Sequence, residues 1–112
     1  MTGTTLDVIP LETARTLSGL FRERVRRTPD AVAYRYFDHD SNTWRSHRWV
    51  DMKTEVARWH AAFEHEGLAR GARVAVMLKN CCELVCCEQA ALGLGLVVLP
   101  LFFNDRAENV AY

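Results

Sequence analysis

Apolar residues return at helical spacing from Leu17 through Leu20, Phe21 and Val25, with Arg22, Glu23, Arg26 and Arg27 off the stripe. That spacing predicts a helix with a charged, solvated face. Thr28 and Pro29 end it, because the residue before a proline is pushed out of the α region. Ala31 to Phe37 (AVAYRYF) is short, aromatic and β-branched, and Trp44 to Trp49 (WRSHRW) alternates large with polar side chains. The polar DHDSNT stretch between them is rich in turn formers, so the pair predicts a β-hairpin. Met52, Val56, Trp59 and Phe63 follow at steps of four, three and four. They form the seam of an amphipathic helix that Gly67 closes.

The pattern then changes. Arg73 to Leu78 (RVAVML) is apolar from Val74 onward without alternation, as expected of a parallel strand covered on both faces. Asn80 is placed to cap the next helix, with Glu83 as its reciprocal partner, and that helix runs through Leu84, Val85, Ala90, Ala91 and Leu92 to Gly93. Leu96 to Leu101 (LVVLPL) is the next strand. Strand, helix and strand in this order make a βαβ unit. Asn104 or Asp105 can cap a further helix, with Glu108 at the capping-box position for Asp105, and Val110 and Tyr112 begin its first turns. The expected fold is therefore α/β: the opening part of a doubly wound parallel sheet, with the first helix and the hairpin alongside. Residues 1–15 read as a flexible polar tail and 16–112 as the start of a larger domain. Two or three parallel strands cannot cover both of their faces, so the piece is expected to be incomplete as it stands and to self-associate. A deliberate small domain is the alternative.

Composition narrows the function. The 112 residues carry 14 Lys and Arg against 14 Asp and Glu, a net charge of zero, and 49% are hydrophobic. Intrinsic disorder is disfavoured, and so is a general polyanion binder, because phosphate contacts need a surplus of cations. No nucleic-acid partner is expected. The first ten residues lack a basic and then apolar leader, and the apolar run Leu94 to Phe103 is broken by Gly95 and Pro100, so neither secretion nor a transmembrane segment is expected. Cys81, Cys82, Cys86 and Cys87 are too close together for a disulfide framework, which points to a reducing cytoplasm. On a helix they point near about 0°, 100°, 140° and 240°, so they cannot converge on one metal ion and are read as small core fillers. His60 and His65, with Glu64 between them, diverge by about 140° and are read as surface residues.

No motif carries catalysis by itself. The turn Lys79-Asn80-Cys81-Cys82 lacks the glycines that let a backbone approach phosphate. Gly93-Leu94-Gly95 lies after a helix and before a strand, where it terminates the helix rather than binding phosphate. Ser18, Ser41 and Ser46 lack a nucleophile-elbow context, and Lys79 is the sole candidate to activate a nearby thiol.

Three runs carry a family resemblance: TLSGLFRERVRRTPDAVAY (Thr16 to Tyr34), VARWHAAFEHEGLARGARVAVMLKNCCELV (Val56 to Val85) and AALGLGLVVLPLFFNDRAENVAY (Ala90 to Tyr112). The chain resembles the amino-terminal part of AMP-forming acyl-CoA synthetases of the adenylate-forming superfamily, over about residues 16–112. The TLxxLF opening and the AYRYFD strand are most similar to long-chain fatty acyl-CoA ligases. The alternatives are an amino-acid or aryl-acid adenylation domain and a free-standing protein-interaction module. The chain departs from the family at Ala72, where an Asp is usual, at Cys82, where a Pro is common, and at Arg48, where a capping Thr is common. Phe102-Phe103 replaces the usual aromatic-Pro pair. The resemblance implies that the whole enzyme uses ATP, Mg²⁺ and coenzyme A to convert a fatty acid first to an acyl-adenylate and then to a thioester. It also implies that the phosphate loop and the catalytic residues lie beyond residue 112, that the fragment alone is inactive, and that Phe102, Phe103 and Asn104 lie near the coenzyme A channel. No catalytic or metal-binding residue is expected within the chain.

Overall fold

A computed structural model describes residues 5–111. The chain enters through α1 (Leu11–Ala14) and α2 (Leu17–Arg27). Thr16 sets the start of α2: its hydroxyl oxygen accepts from the Gly19 N–H at 2.9 Å, satisfying one of the donors that a helix start leaves without a partner. Phe21 and Val25 are buried, as the stripe predicts. The structure describes the segment read as a tail from residue 5 onward. α1 lies within it, and Asp7 receives Arg24 at 2.8 Å and Arg27 at 2.7 Å. Arg27, assigned to a solvated face, and Arg24 thus tie the segment before α1 to α2. Arg26 and Arg27 also donate to Glu23, at 2.6 and 2.9 Å.

The hairpin forms as expected. β1 (Val32–Asp38) pairs antiparallel with β2 (Thr43–Arg48), with Tyr34 opposite His47 and Phe37 opposite Trp44. The Asp38 carboxylate organises the turn, accepting from the Asp40 N–H at 3.1 Å and the Ser41 hydroxyl at 2.9 Å.

α3 (Trp49–His65) begins three residues before the Met52 seam. Arg48 has no acceptor atom with which to cap it, and neighbouring carbonyls substitute. The Trp49 N–H donates to Ala31 at 3.1 Å and the Val50 N–H to Pro29 at 2.9 Å. Asp51 accepts from the Arg48 N–H at 2.8 Å, one half of a capping box.

β3 (Arg73–Val76) and β4 (Val97–Pro100) are parallel neighbours, with Val74 opposite Val98, and α4 (Cys82–Gly93) connects them. Both strands are shorter than the apolar runs that predicted them. They are also not covered on both faces. Val76 is buried and Val74 and Val98 half-buried, whereas Arg73, Ala75, Val97 and Leu99 are exposed. The reason is the number of layers: within the described residues α4 packs against β4, and nothing covers the other face. Asn80 does not cap α4. The N-cap is Cys81, with no side-chain cap bond, so Asn80 stands one position too early and Glu83 falls outside the reciprocal position. The left-handed turn after α4 is at Gly95 (φ 71°), not Gly93. α5 (Ala107–Val110) starts after Arg106 rather than after Asn104 or Asp105. The Asp105 carboxylate instead accepts from the Arg106 N–H and the Asn109 side-chain amide, both at 2.8 Å. Tyr112, expected in this helix, lies outside the described residues.

The core is a junction of helices. Phe21 and Val25 of α2, Met52 of α3 and Cys86 of α4 cluster together, with Tyr34, Trp49, Val56 and Trp59 packed around them. Cys86 thus fills a gap among helices, on a helix that also packs against β4.

Two outcomes test this architecture. Helix propensity alone would favour Gly19→Ala by about 1 kcal/mol, but a Cβ at Gly19 would overlap the Ala14 carbonyl oxygen. The substitution is expected to destabilise by about 1–3 kcal/mol, read from the urea midpoint. The second concerns Glu23, whose carboxyl is held at about 2 by hydrogen bonds from Arg26 and Arg27. A folded-state value below the unfolded one means that its stabilisation is complete above about pH 4.5 and is lost as pH falls towards 2. The stability difference between the wild type and Glu23→Gln should therefore shrink over that window and be flat above it.

Candidate functional site

The carboxyl ends of β3 and β4 bring together two loops. Val76 and Pro100 are register partners, and the Leu101 N–H donates to the Val76 carbonyl at 2.8 Å. The loop carrying Lys79 and the loop carrying Phe102, Phe103 and Asn104 therefore leave the sheet side by side. In an open parallel sheet this is the edge at which ligands bind. Phe102 and Phe103 are 67% and 46% exposed, so they do not fill the core as aromatics at a strand end commonly do. Their rings stack with centroids 5.7 Å apart, and Lys79 Nζ lies 5.4 Å from the Phe103 centroid. Asn104 is exposed beside them, in a turn closed by the Asp105 N–H donating to the Phe102 carbonyl at 3.0 Å.

A concavity of about 810 Å³ lies between the hairpin and the start of α4, with Tyr34, Tyr36, Phe37, His47, Cys81 and Val85 among its walls. Tyr36 and His47 stack at 4.9 Å, and burial raises the Tyr34 phenol above its ordinary value. Sequence reasoning identified the hairpin but not this groove, because strand periodicity does not reveal which distant helix faces a strand.

The four cysteines are free thiols in unlike surroundings: Cys81 is exposed, Cys82 half-buried, and Cys86 and Cys87 buried. Burial first, then the negative charges of Cys82, Glu55 and Glu83, push the Cys86 thiol up to about 11. It is therefore a neutral packing group rather than a nucleophile. His60 lies 3.5 Å from Glu64 on α3. Among the described residues no three His, Cys, Asp or Glu side chains group to hold a metal ion. Neither these residues nor the glycine-free turn after β3 fits Mg²⁺ or the phosphates of ATP. No helix among the described residues is long and apolar enough to cross a membrane.

Residues 21–112 match the family described as AMP-binding enzyme. The chain belongs to this family, part of the adenylate-forming superfamily. It is 36% identical over 110 residues to the phosphinothricin tripeptide synthetase PhsB of Streptomyces viridochromogenes, covering 96% of this chain and 9% of that protein. Its fold is shared with the N-terminal subdomain of Klebsiella oxytoca NpsA, solved with 3-hydroxyanthranilyl-AMSN (TM-score 0.76, 23% identity, 86% of this chain and 23% of that one). It is also shared with a Mycobacterium tuberculosis fatty acyl CoA synthetase (TM-score 0.74, 24% identity, 86% of this chain and 18% of that one). The expected α/β fold is thus observed: the chain matches the amino-terminal subdomain of adenylate-forming enzymes and spans a small part of each relative's length. The relatives include both peptide and fatty acyl-CoA synthetases, so the long-chain subtype does not follow from them.

The thiols give a direct check on the site. With a thiol reagent at pH 8, Cys81 should react first, whereas Cys86, only about one part in a thousand thiolate at that pH, should react at the rate of unfolding. Mass spectrometry of the labelled peptides distinguishes them.

Proposed function

We propose that this chain is the opening, scaffolding part of an ATP-dependent enzyme that activates a long-chain fatty acid. In the whole enzyme a carboxylate oxygen attacks the α-phosphorus of ATP, pyrophosphate leaves, and the thiol of coenzyme A then displaces AMP from the acyl-adenylate. The observation that carries the ligase reading is the family match over residues 21–112. The fatty-acid assignment is supported by the TLxxLF opening and the AYRYFD segment, which form the start of α2 and strand β1. A second reading, activation of an amino acid or aryl acid, is favoured by the 36% identity to a peptide synthetase. In either case the contribution of these residues is mechanical. Helices α2 and α3 seat α4, α4 packs against β4, and the sheet holds the loops at its carboxyl edge where a ligand can reach them. Phe102, Phe103 and Asn104 are assigned to the acceptor side, facing coenzyme A, and ATP and Mg²⁺ to residues beyond this chain. The reading places the enzyme in the cytoplasm.

The test is ATP–pyrophosphate exchange by the protein that carries this chain, supplied with palmitate, aryl acids or amino acids. Palmitate-dependent exchange followed by palmitoyl-CoA formation is expected, with no exchange from residues 1–112 alone. Exchange driven only by an amino or aryl acid would replace the first reading with the second, and exchange with no carboxylic acid would overturn both.

A further inference from the structure

We propose that Lys79 is a positioning residue: its ammonium group holds the Phe103 ring, and through it the loop at 101–106, in the place where the thiol acceptor approaches. The acceptor's identity rests on the function proposed above. The clamp itself rests on geometry.

Side-chain packing does little to hold this loop. Phe102 is mostly exposed and Phe103 nearly half exposed, so the packing that normally selects one rotamer for an aromatic side chain is weak here. Backbone hydrogen bonds fix the two ends of the segment, Leu101 to Val76 at 2.8 Å and Asp105 to Phe102 at 3.0 Å, but they do not orient the rings. The stack of the two rings, at 5.7 Å and 29°, orients each relative to the other and leaves the pair free to swing. Lys79 supplies the missing constraint. It comes from the neighbouring strand's loop, and its Nζ stands 5.4 Å from the Phe103 centroid, inside the roughly 6 Å range over which the negative face of an aromatic ring attracts a cation. Because β3 and β4 are in parallel register up to Val76 and Pro100, this contact spans two adjacent loops at the ligand-binding edge rather than two points on one loop. A cation at this position thus couples the β3 turn to the β4 turn. The exposed ring faces beside it present a fixed apolar wall to the arm of an incoming thiol.

The test uses the whole protein that carries the chain, with Lys79→Met, which keeps an apolar stem of similar length, Lys79→Arg, which keeps the cation, and Phe103→Leu. In Lys79→Met, amide hydrogen exchange at Leu101 and Asp105 is expected to accelerate about two- to fivefold, the range of an exposed cation–ring contact. The KM for coenzyme A should rise by more than the rate of pyrophosphate exchange falls. Lys79→Arg should restore both, and Lys79→Met combined with Phe103→Leu should be no worse than the more severe of the two single variants. Unchanged amide exchange in Lys79→Met, failure of Lys79→Arg to restore it, or additive effects in the double variant would each overturn the clamp. Faster amide exchange with an unmoved KM would overturn the positioning role. If the wild-type protein forms an adenylate yet passes nothing to coenzyme A, the ligase reading fails on its own, and the exchange measurement still decides the clamp.

Discussion

Met52 has no exposed surface because three helices converge on it. Phe21 and Val25 reach it from α2 and Cys86 from α4. Burying one such side chain contributes about 1.5–3 kcal/mol, and here the same contact fixes the directions of three elements. α4 is the connection between the two parallel strands, so seating it against Met52 also fixes where β3 and β4 end. The loops at the carboxyl edge inherit their positions from that packing.

Trp49 extends the junction to the hairpin. It is the first residue of α3, and it meets Phe21 edge-on at 6.1 Å and Tyr34 at 5.9 Å. Its N–H donates to Ala31 at the foot of β1. One residue thus supplies an aromatic bridge between helix and hairpin and closes a helix start whose N-cap, Arg48, has no acceptor. The departure from a capping Thr is accommodated because the fold brings the Ala31 and Pro29 carbonyls to the unpaired N–H groups.

The βαβ unit shows the opposite balance. Val97 and Leu99 are exposed on one face while Val76 is buried on the other, as a parallel strand looks when one of its two covering layers is absent from the described residues. An unalternating apolar run records a strand suited to cover on both faces, and the described residues cover one of them.

Local pattern was enough to place α2, the hairpin, the Met52 seam and the strand–helix–strand order, because each depends on side-chain periodicity within a few turns or residues. It also singled out Phe102, Phe103 and Asn104 through a family resemblance rather than through any chemistry of their own. Caps were less legible. Asn80 and Asp105 are good capping residues by type, but each stands one position away from the helix start that packing selects. Whether Asp7 is a free carboxylate or the partner of Arg24 and Arg27, whether Cys86 faces the sheet or helices α2 and α3, and whether Lys79 lies over Phe103 are questions about residues far apart in the chain. Periodicity carries no information about such pairs, because it fixes the face on which a side chain lies but not what that face meets. The tertiary structure decided these pairings: burial sets Cys86 among the helices, and the packed elements then place the Asp7 and Lys79 partners side by side at the surface.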